Sequence, residues 1–196
     1  MTEDEARAWM AMRFSADTVA TVARFVDLVI AANNEQNLIS PASVNAIWAR
    51  HVVDSAQLLA FAPGDAGMWI DIGTGGGFPG MILAICRNPP VIMVEPRRRR
   101  AGFLQNAVSS LGLEARATVR DVKIEAVRDA ADVISARAVA SIEKLLQAAG
   151  RCATPKTRWI LPRGRSSEEQ DGDLFHVEQS ITDPASRIVL IDGTGR

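Results

Sequence analysis

From Ser15 to Ala32, apolar residues recur at Val19, Val22, Ala23, Val26, Val29 and Ile30. Spacings of three and four predict an amphipathic helix, with Ser15 or Asp17 as its N-cap. "NNEQNLISPAS" interrupts it with Asn and Pro. A second helix is predicted from about Val44 to Phe61, with Ile47, Trp48, Val52 and Leu58 on its apolar face, and "APGDAG" ends it. Beyond that point short apolar runs alternate with helical segments: "MWIDI", "PGMILAICR", "PVIMVE", "RRRRAGFLQNAVSSLG", "RATVRD", a short helix, "DVISAR" and "SIEKLLQAAGRC". Repeated strand–helix–strand order predicts right-handed βαβ units in a mostly parallel, Rossmann-like α/β sheet. "RWILP" and "RIVLI" close the chain, with "HVEQSI" as a weaker strand between them. Lying so near one another, they predict an antiparallel edge. "EEQDGD" reads as a polar loop. The expected division is an N-terminal helical cap over residues 1–62 and one compact core over residues 63–196.

Composition narrows the setting. With 196 residues, 47% of them hydrophobic, the chain suits one compact domain with an N-terminal extension. A net charge of −1 excludes a generally basic nucleic-acid coat, so any such contact must come from local patches. Charged residues, Asn and Pro interrupt every apolar run, so no membrane span is expected. "MTEDEARAWM" lacks the basic-then-apolar order of a secretory signal. Cys86 and Cys152 stand far apart, and His51 and His176 are the only histidines, so neither a disulfide framework nor a metal centre is expected. A reducing, cytoplasmic location is the simplest expectation.

The densest chemical signal is "WIDIGTGGGFPG". Glycines at 73, 75, 76, 77 and 80 directly follow a strand, which lets a ligand approach bare backbone. Pro79 suits the first turn of the following helix. Gly75, Gly77 and Gly80 match GxGxxG, and Glu95 follows Gly75 by twenty residues, so the spacing permits a dinucleotide. Asp71 gives D-x-G-x-G-x-G instead, the pattern of S-adenosylmethionine (SAM) enzymes, where the acid helps hold the amino-acid end of the cofactor, directly or through water. Glu95 could accept ribose hydroxyls in either reading. Asp71 tips the balance to SAM.

"DIGTGGGFPGMILAI", "ISARAVAS", "NLISP…IWARHVVDSAQLL" and "ITDPASRIVLI" together resemble the RsmG (GidB) family of bacterial small-subunit ribosomal RNA guanine-N7 methyltransferases. The resemblance spans roughly Asn37 to Asp192. It implies a SAM-dependent methyltransferase core, with ribosomal RNA or the small ribosomal subunit as partner. It also implies cofactor contacts at Gly73, Phe78, Ile124, Glu125 and Arg137, beside Asp71, Gly75 and Glu95. Asn37, Arg50, His51, Asp54 and Ser55 match the N-terminal signature and would line the substrate side. The chain departs from the family in three places: Glu95 where Asp is common, Arg163-Gly164 where Lys-Gly is common, and "NNEQ" without a lysine.

Plainer readings stand beside these. Arg50 and Asp54, four apart on a helix, could form a surface ion pair, and His51 could cap a packed face. Arg137, ending an apolar strand, could be half of a structural Arg–carboxylate pair. Arg97, Arg98, Arg99 and Arg100 open a helix, where cations oppose the dipole. An external anion such as RNA phosphate would compensate, with stabilisation of Glu95 as the alternative; Arg163 joins them as a substrate-side candidate. Guanine N7 carries a lone pair and has no proton to lose, so no general base is assigned, and Arg50, His51 and Arg137 are positioning candidates. An NAD(P)-dependent reductase is the first alternative, against which stands the absence of any tyrosine. A non-catalytic RNA-binding module is the second.

Overall fold

A computed structural model describes residues 1–137, 141–164 and 175–194. Two long helices open the chain, α1 (Glu3–Arg13) and α2 (Ala16–Gln36). Thr2 and Glu5 close a capping box at the start of α1, and the Ser15 side chain caps α2 through the Thr18 amide. Asn37 ends α2 in the left-handed region, with φ of 48°. The sequence pattern missed α1, whose inward face consists mainly of Ala6 and Met10, both fully buried.

The predicted second helix is broken into four pieces. A short α3 (Pro41–Val44) leads to a π-helix (Trp48–Val53), a single turn α4 (Asp54–Ala56) and a 3-10 turn (Gln57–Phe61). The wider π turn removes the i,i+4 phase on which an Arg50–Asp54 pair would depend.

The core follows the predicted alternation: β1 (Trp69–Ile72), α5 (Gly80–Cys86), β2 (Val91–Val94), α6 (Arg98–Ser110), β3 (Ala117–Arg120), a 3-10 turn (Ile124–Ala126), β4 (Ala131–Ala136), α7 (Ile142–Ala149), β5 (Ala153–Arg163), β6 (His176–Gln179) and β7 (Arg187–Asp192). The seven strands lie in the order β3-β2-β1-β4-β5-β7-β6. β1 pairs in parallel with both β2 and β4, while β7 is antiparallel to β5 and to β6. The antiparallel edge matches the expectation. The "EEQDGD" loop lies outside the described residues.

Alternation along β1 sorts side chains between two cores. Trp69 joins the cluster formed with Phe25, Trp48 and Leu83 under the helical cap, while Ile70 and Ile72 join Ile134, Leu145 and Trp159 on the other face. Asp71 has the parity of Trp69 and therefore projects towards the cap. The chain reverses direction across the sheet where β1 and β4 meet, and in open α/β sheets the crevice beyond that point is where ligands bind.

Candidate active site at the carboxyl edge of the sheet

The glycine turn is built from behind by Asp71. Its carboxylate is fully buried and accepts from Ser135 Oγ at 2.7 Å, Thr74 Oγ1 at 2.7 Å and the Gly80 amide at 3.0 Å. Register explains the first contact, because Asp71 and Ser135 lie side by side on β1 and β4. Ser135 Oγ in turn accepts from Trp69 Nε1 at 2.9 Å. Burial pushes the Asp71 carboxyl up to about 6, against the opposing effect of these hydrogen bonds and of Arg137. The aspartate thus holds the loop and serves the first amide of α5. The side chain is fully buried behind the turn it holds. Ser135 was missed in the sequence, though a lone hydroxyl in an apolar strand was a readable signal.

The glycines divide into two kinds. A Cβ on Gly77 would lie 2.4 Å from Phe25 Cζ, and φ there is 98°. Gly76 and Gly80 are equally crowded, by Leu38 and by Met93 with Asp71. These three exist so that the cap and α5 can close on the loop. Gly73 differs: its φ is 70°, and nothing lies within 4 Å of the position a Cβ would take. Bare backbone facing open space at the sheet edge fits a ligand lying against the chain.

Glu95, 3% exposed, accepts from the Gly75 amide at 2.9 Å and from the Arg97 amide at 2.9 Å. Its carboxylate joins the glycine turn to the start of α6 and supplies the negative charge that this helix N-terminus favours. The alternative role foreseen for the arginines, stabilising Glu95, therefore falls to one backbone amide. The guanidinium groups turn elsewhere. Arg99 and Arg100 donate to the Glu35 and Asn37 carbonyls at 3.4 and 3.3 Å, where α2 ends, and Arg98 pairs with Asp121 at 3.6 Å. Compensation is thus partly internal: the terminus of one helix faces that of another. A cavity of about 460 Å³ lies among Glu35, Gln36, Asn37 and Arg97 to Arg100.

The π-helix brings the signature residues to Arg137. Arg137 donates to His51 Nδ1 at 2.7 Å, to Asp54 Oδ2 at 3.4 Å and to the Arg50 carbonyl at 3.3 Å. Guanidinium can only donate, so Nδ1 is the acceptor and the imidazole proton sits on Nε2. There it faces Ser43 Oγ at 2.9 Å, whose own proton goes to the Ser40 carbonyl. The His51 ring lies 4.9 Å from the Phe78 ring, which also contacts Phe25 at 5.4 Å. Burial, with Arg137 and Arg50 nearby, lowers the His51 pKa to about 3. His51 is therefore neutral throughout the physiological range, unlike the near-neutral titration its unperturbed value suggests.

Two simpler expectations are corrected here. Arg50 does not pair with Asp54; it lies 3.9 Å from Asp183, with its side chain 58% exposed. Ser55 does not line an open surface, because it is buried and its hydroxyl donates to the His51 carbonyl at 2.5 Å. The structural-pair reading of Arg137 holds in part, since Asp54 is its carboxylate. Asp54 also accepts from Gln57 Nε2 and Thr182 Oγ1, both at 2.9 Å, which ties the cap to the segment before β7. Arg163 lines a cavity of about 330 Å³ together with Asp54, Arg137 and Arg187. Ile124, buried, and Glu125, exposed, stand in the 3-10 turn after β3, away from the Arg137 cluster's contacts.

Comparison with known proteins decides what this edge belongs to. The GidB family, described as rRNA small subunit methyltransferase G, matches residues 18–184. The chain belongs to this family. It is 44% identical to the ribosomal RNA small subunit methyltransferase G of Sphingopyxis alaskensis, over 99% of this chain and 87% of that protein. Identity to the Erythrobacter litoralis protein of the same name is 41%, over 100% of this chain and 97% of the relative. Among solved structures, a mutant of MtNAS in complex with S-adenosylmethionine superposes with a TM-score of 0.62 at 16% identity, covering 97% of this chain and 83% of that one. The B. subtilis tRNA methyltransferase TrmK gives 0.56 at 16% identity, covering 71% and 64%. Membership of the methyltransferase G family, on this fold, makes the chain a SAM-dependent methyltransferase of small-subunit ribosomal RNA. No helix among the described residues is long and apolar enough to cross a membrane, and no three His, Cys, Asp or Glu among them are grouped to hold a metal ion.

Proposed function

We propose that this chain methylates N7 of a guanine in small-subunit ribosomal RNA, working in the cytoplasm alongside its substrate. The observation that carries the reading is the Arg137–His51–Phe78 cluster beside the glycine turn, in which Arg137 occupies His51 Nδ1 and leaves the imidazole no free lone pair to take a proton. Bound SAM supplies an electrophilic methyl group on a sulfonium centre. Gly73 and Gly75 would present backbone to it, Glu95 would accept ribose hydroxyls through lone pairs its two amide partners leave, and Ile124 with Glu125 would flank the adenine. Asp71 would act indirectly, by fixing the turn. Phe78, buried against Phe25 and His51, would give a rigid floor beneath the place where a base is held. Arg137 fixes the neutral Nε2–H tautomer of His51 and keeps the ring stacked. An RNA base taken out of its stack is gripped through shape and stacking. Arg50, Arg163 and the Arg97 to Arg100 run would meet the RNA backbone, with Asn37 at the mouth of the Arg97–Arg100 cavity.

Nucleoside mapping of ribosomal RNA from cells with and without this gene, with in vitro methylation by the purified protein, tests the reading. One 7-methylguanosine should vanish with the gene and return with the protein. Its cationic ring should make the strand cleavable by reduction followed by aniline. A product methylated on an exocyclic nitrogen or a ribose would overturn the assignment.

A further inference from the structure

The π-helix that carries Arg50 and His51 is held by a residue far from it in sequence. The amides of Trp48 and Ala49, which open the π-helix, donate to the Glu3 carboxylate at 3.2 and 2.9 Å across 45 and 46 positions. A carboxylate is the group that a helix N-terminus favours, since it neutralises amides lacking a partner in the preceding turn. Glu3 is itself fixed. It sits in the first turn of α1 behind the Thr2–Glu5 capping box, and Ala6 and Met10 are fully buried one and two turns later. One turn on from Glu3, the Arg7 guanidinium lies 4.3 Å from the Trp48 ring centre. The first residue, Met1, lines a cavity of about 370 Å³ with Arg50 and Asp54, and its amino group reaches the Thr182 carbonyl at 3.4 Å. In each of these contacts one partner, Met1, Glu3 or Arg7, lies ahead of residue 18, where the family match begins, and the other lies within it.

We infer that Glu3 is a positioning residue for methyl transfer: by gripping the Trp48 and Ala49 amides it fixes the turn that aims His51 at Phe78 and Arg137. Geometry makes the coupling short. Ala49 and His51 are two residues apart, and a slip of the turn from π to α would rotate His51 off the Phe78 face. Glutamine at position 3 keeps the size but offers one acceptor oxygen in place of two and no charge. Aspartate keeps the charge but is one methylene too short.

The inference rests on the proposed function for its kinetic part only. In full-length protein with only two histidines, the His51 imidazole can be followed directly by NMR, with His176 as an internal control. In Glu3→Gln the His51 signals should move or split while those of His176 stay in place. Single-turnover methyl transfer at saturating RNA should fall about tenfold, with the SAM dissociation constant changed less than threefold. Glu3→Asp should resemble Glu3→Gln. Unmoved His51 signals with a rate within twofold of wild type would overturn the inference. So would a parallel loss of SAM affinity and thermal stability, which would make Glu3 a residue of the fold alone. Wild-type protein inactive on RNA would count against the proposed function instead, and the His51 signals would still decide whether Glu3 sets the turn.

Discussion

Asp71 and Arg137 project towards the helical cap from the carboxyl ends of neighbouring strands, yet they build opposite kinds of polar cluster. Asp71 is sealed. Its partners, Ser135, Thr74 and the Gly80 amide, are all buried, so it acts on the loop's shape. Arg137 keeps its side chain 25% exposed and reaches three residues of the cap, His51, Asp54 and Arg50, at the rim of a cavity. The contrast separates a carboxylate that shapes the turn from an arginine that joins the sheet edge to the cap.

The largest expected effect of breaking this contrast is on stability at Asp71. Asp71→Ala strands the buried Ser135 hydroxyl and Gly80 amide, while Thr74 keeps the residue-71 carbonyl, and should cost roughly 2–4 kcal/mol, read by denaturant unfolding. Arg137→Ala leaves Asp54 with Gln57 and Thr182, and should cost about 1 kcal/mol or less, while methyl transfer falls about a hundredfold. Equal losses of stability in the two variants would erase the distinction.

The glycines permit a second separation. Gly77→Ala drives a methyl into Phe25 and should cost several kcal/mol or prevent folding. A Cβ at Gly73 meets no protein atom, so Gly73→Ala should fold with a strain penalty of about 1–2 kcal/mol yet weaken SAM binding in calorimetry. SAM binding by Gly73→Ala at wild-type affinity would move the cofactor off this backbone.

Changing Arg97 to Arg100 to Ser tests the outer rim. If all four meet single-stranded phosphates, the slope of log affinity against log salt should flatten by up to about 3. Arg99 and Arg100 already serve the end of α2 and Arg98 pairs with Asp121, so a smaller flattening is expected if these contacts persist in the complex.

Smallest is a pH effect on stability. His51 has a folded pKa of about 3, below its ordinary 6.5, so the unfolded chain takes the proton first. Its contribution is complete above about pH 6.5 and is lost as pH falls towards 3. Asp71 runs the other way: raised from 3.8 to about 6, it contributes fully below about pH 4 and loses that contribution as pH rises through 6. Between about pH 4 and 6 the two slopes, each up to about 1.4 kcal/mol per pH unit, oppose and largely cancel. His51→Gln should unmask the Asp71 slope, so the variant gains stability relative to wild type as pH falls across that window. Parallel pH dependences of stability in wild type and His51→Gln would show that the His51 pKa is not lowered by the fold.

Legibility in the sequence followed the range of the interactions. Strand–helix alternation, the glycine turn and the antiparallel edge depend on local pattern, and all three were readable. Helix α1 was missed although Thr2 and Glu5 spell a capping box, because its apolar face is only two residues wide among charges. Nor was the π-helix readable: Ile47, Trp48 and Val52 keep α-helical spacing, and the groups that meet the turn arrive from residue 3 and from the sheet. The same distance explains why Arg50 and Asp54 looked like partners but face Asp183 and Arg137.

Single-turnover methyl transfer at saturating RNA and SAM, followed from about pH 6.5 to 9, tests the central claim that N7 attacks without a base. The account predicts a nearly flat profile for wild type, and for His51→Gln a slower but equally flat one. A rate rising tenfold per pH unit across that range would contradict it, because the acceptor would then be losing a proton that guanine N7 does not carry.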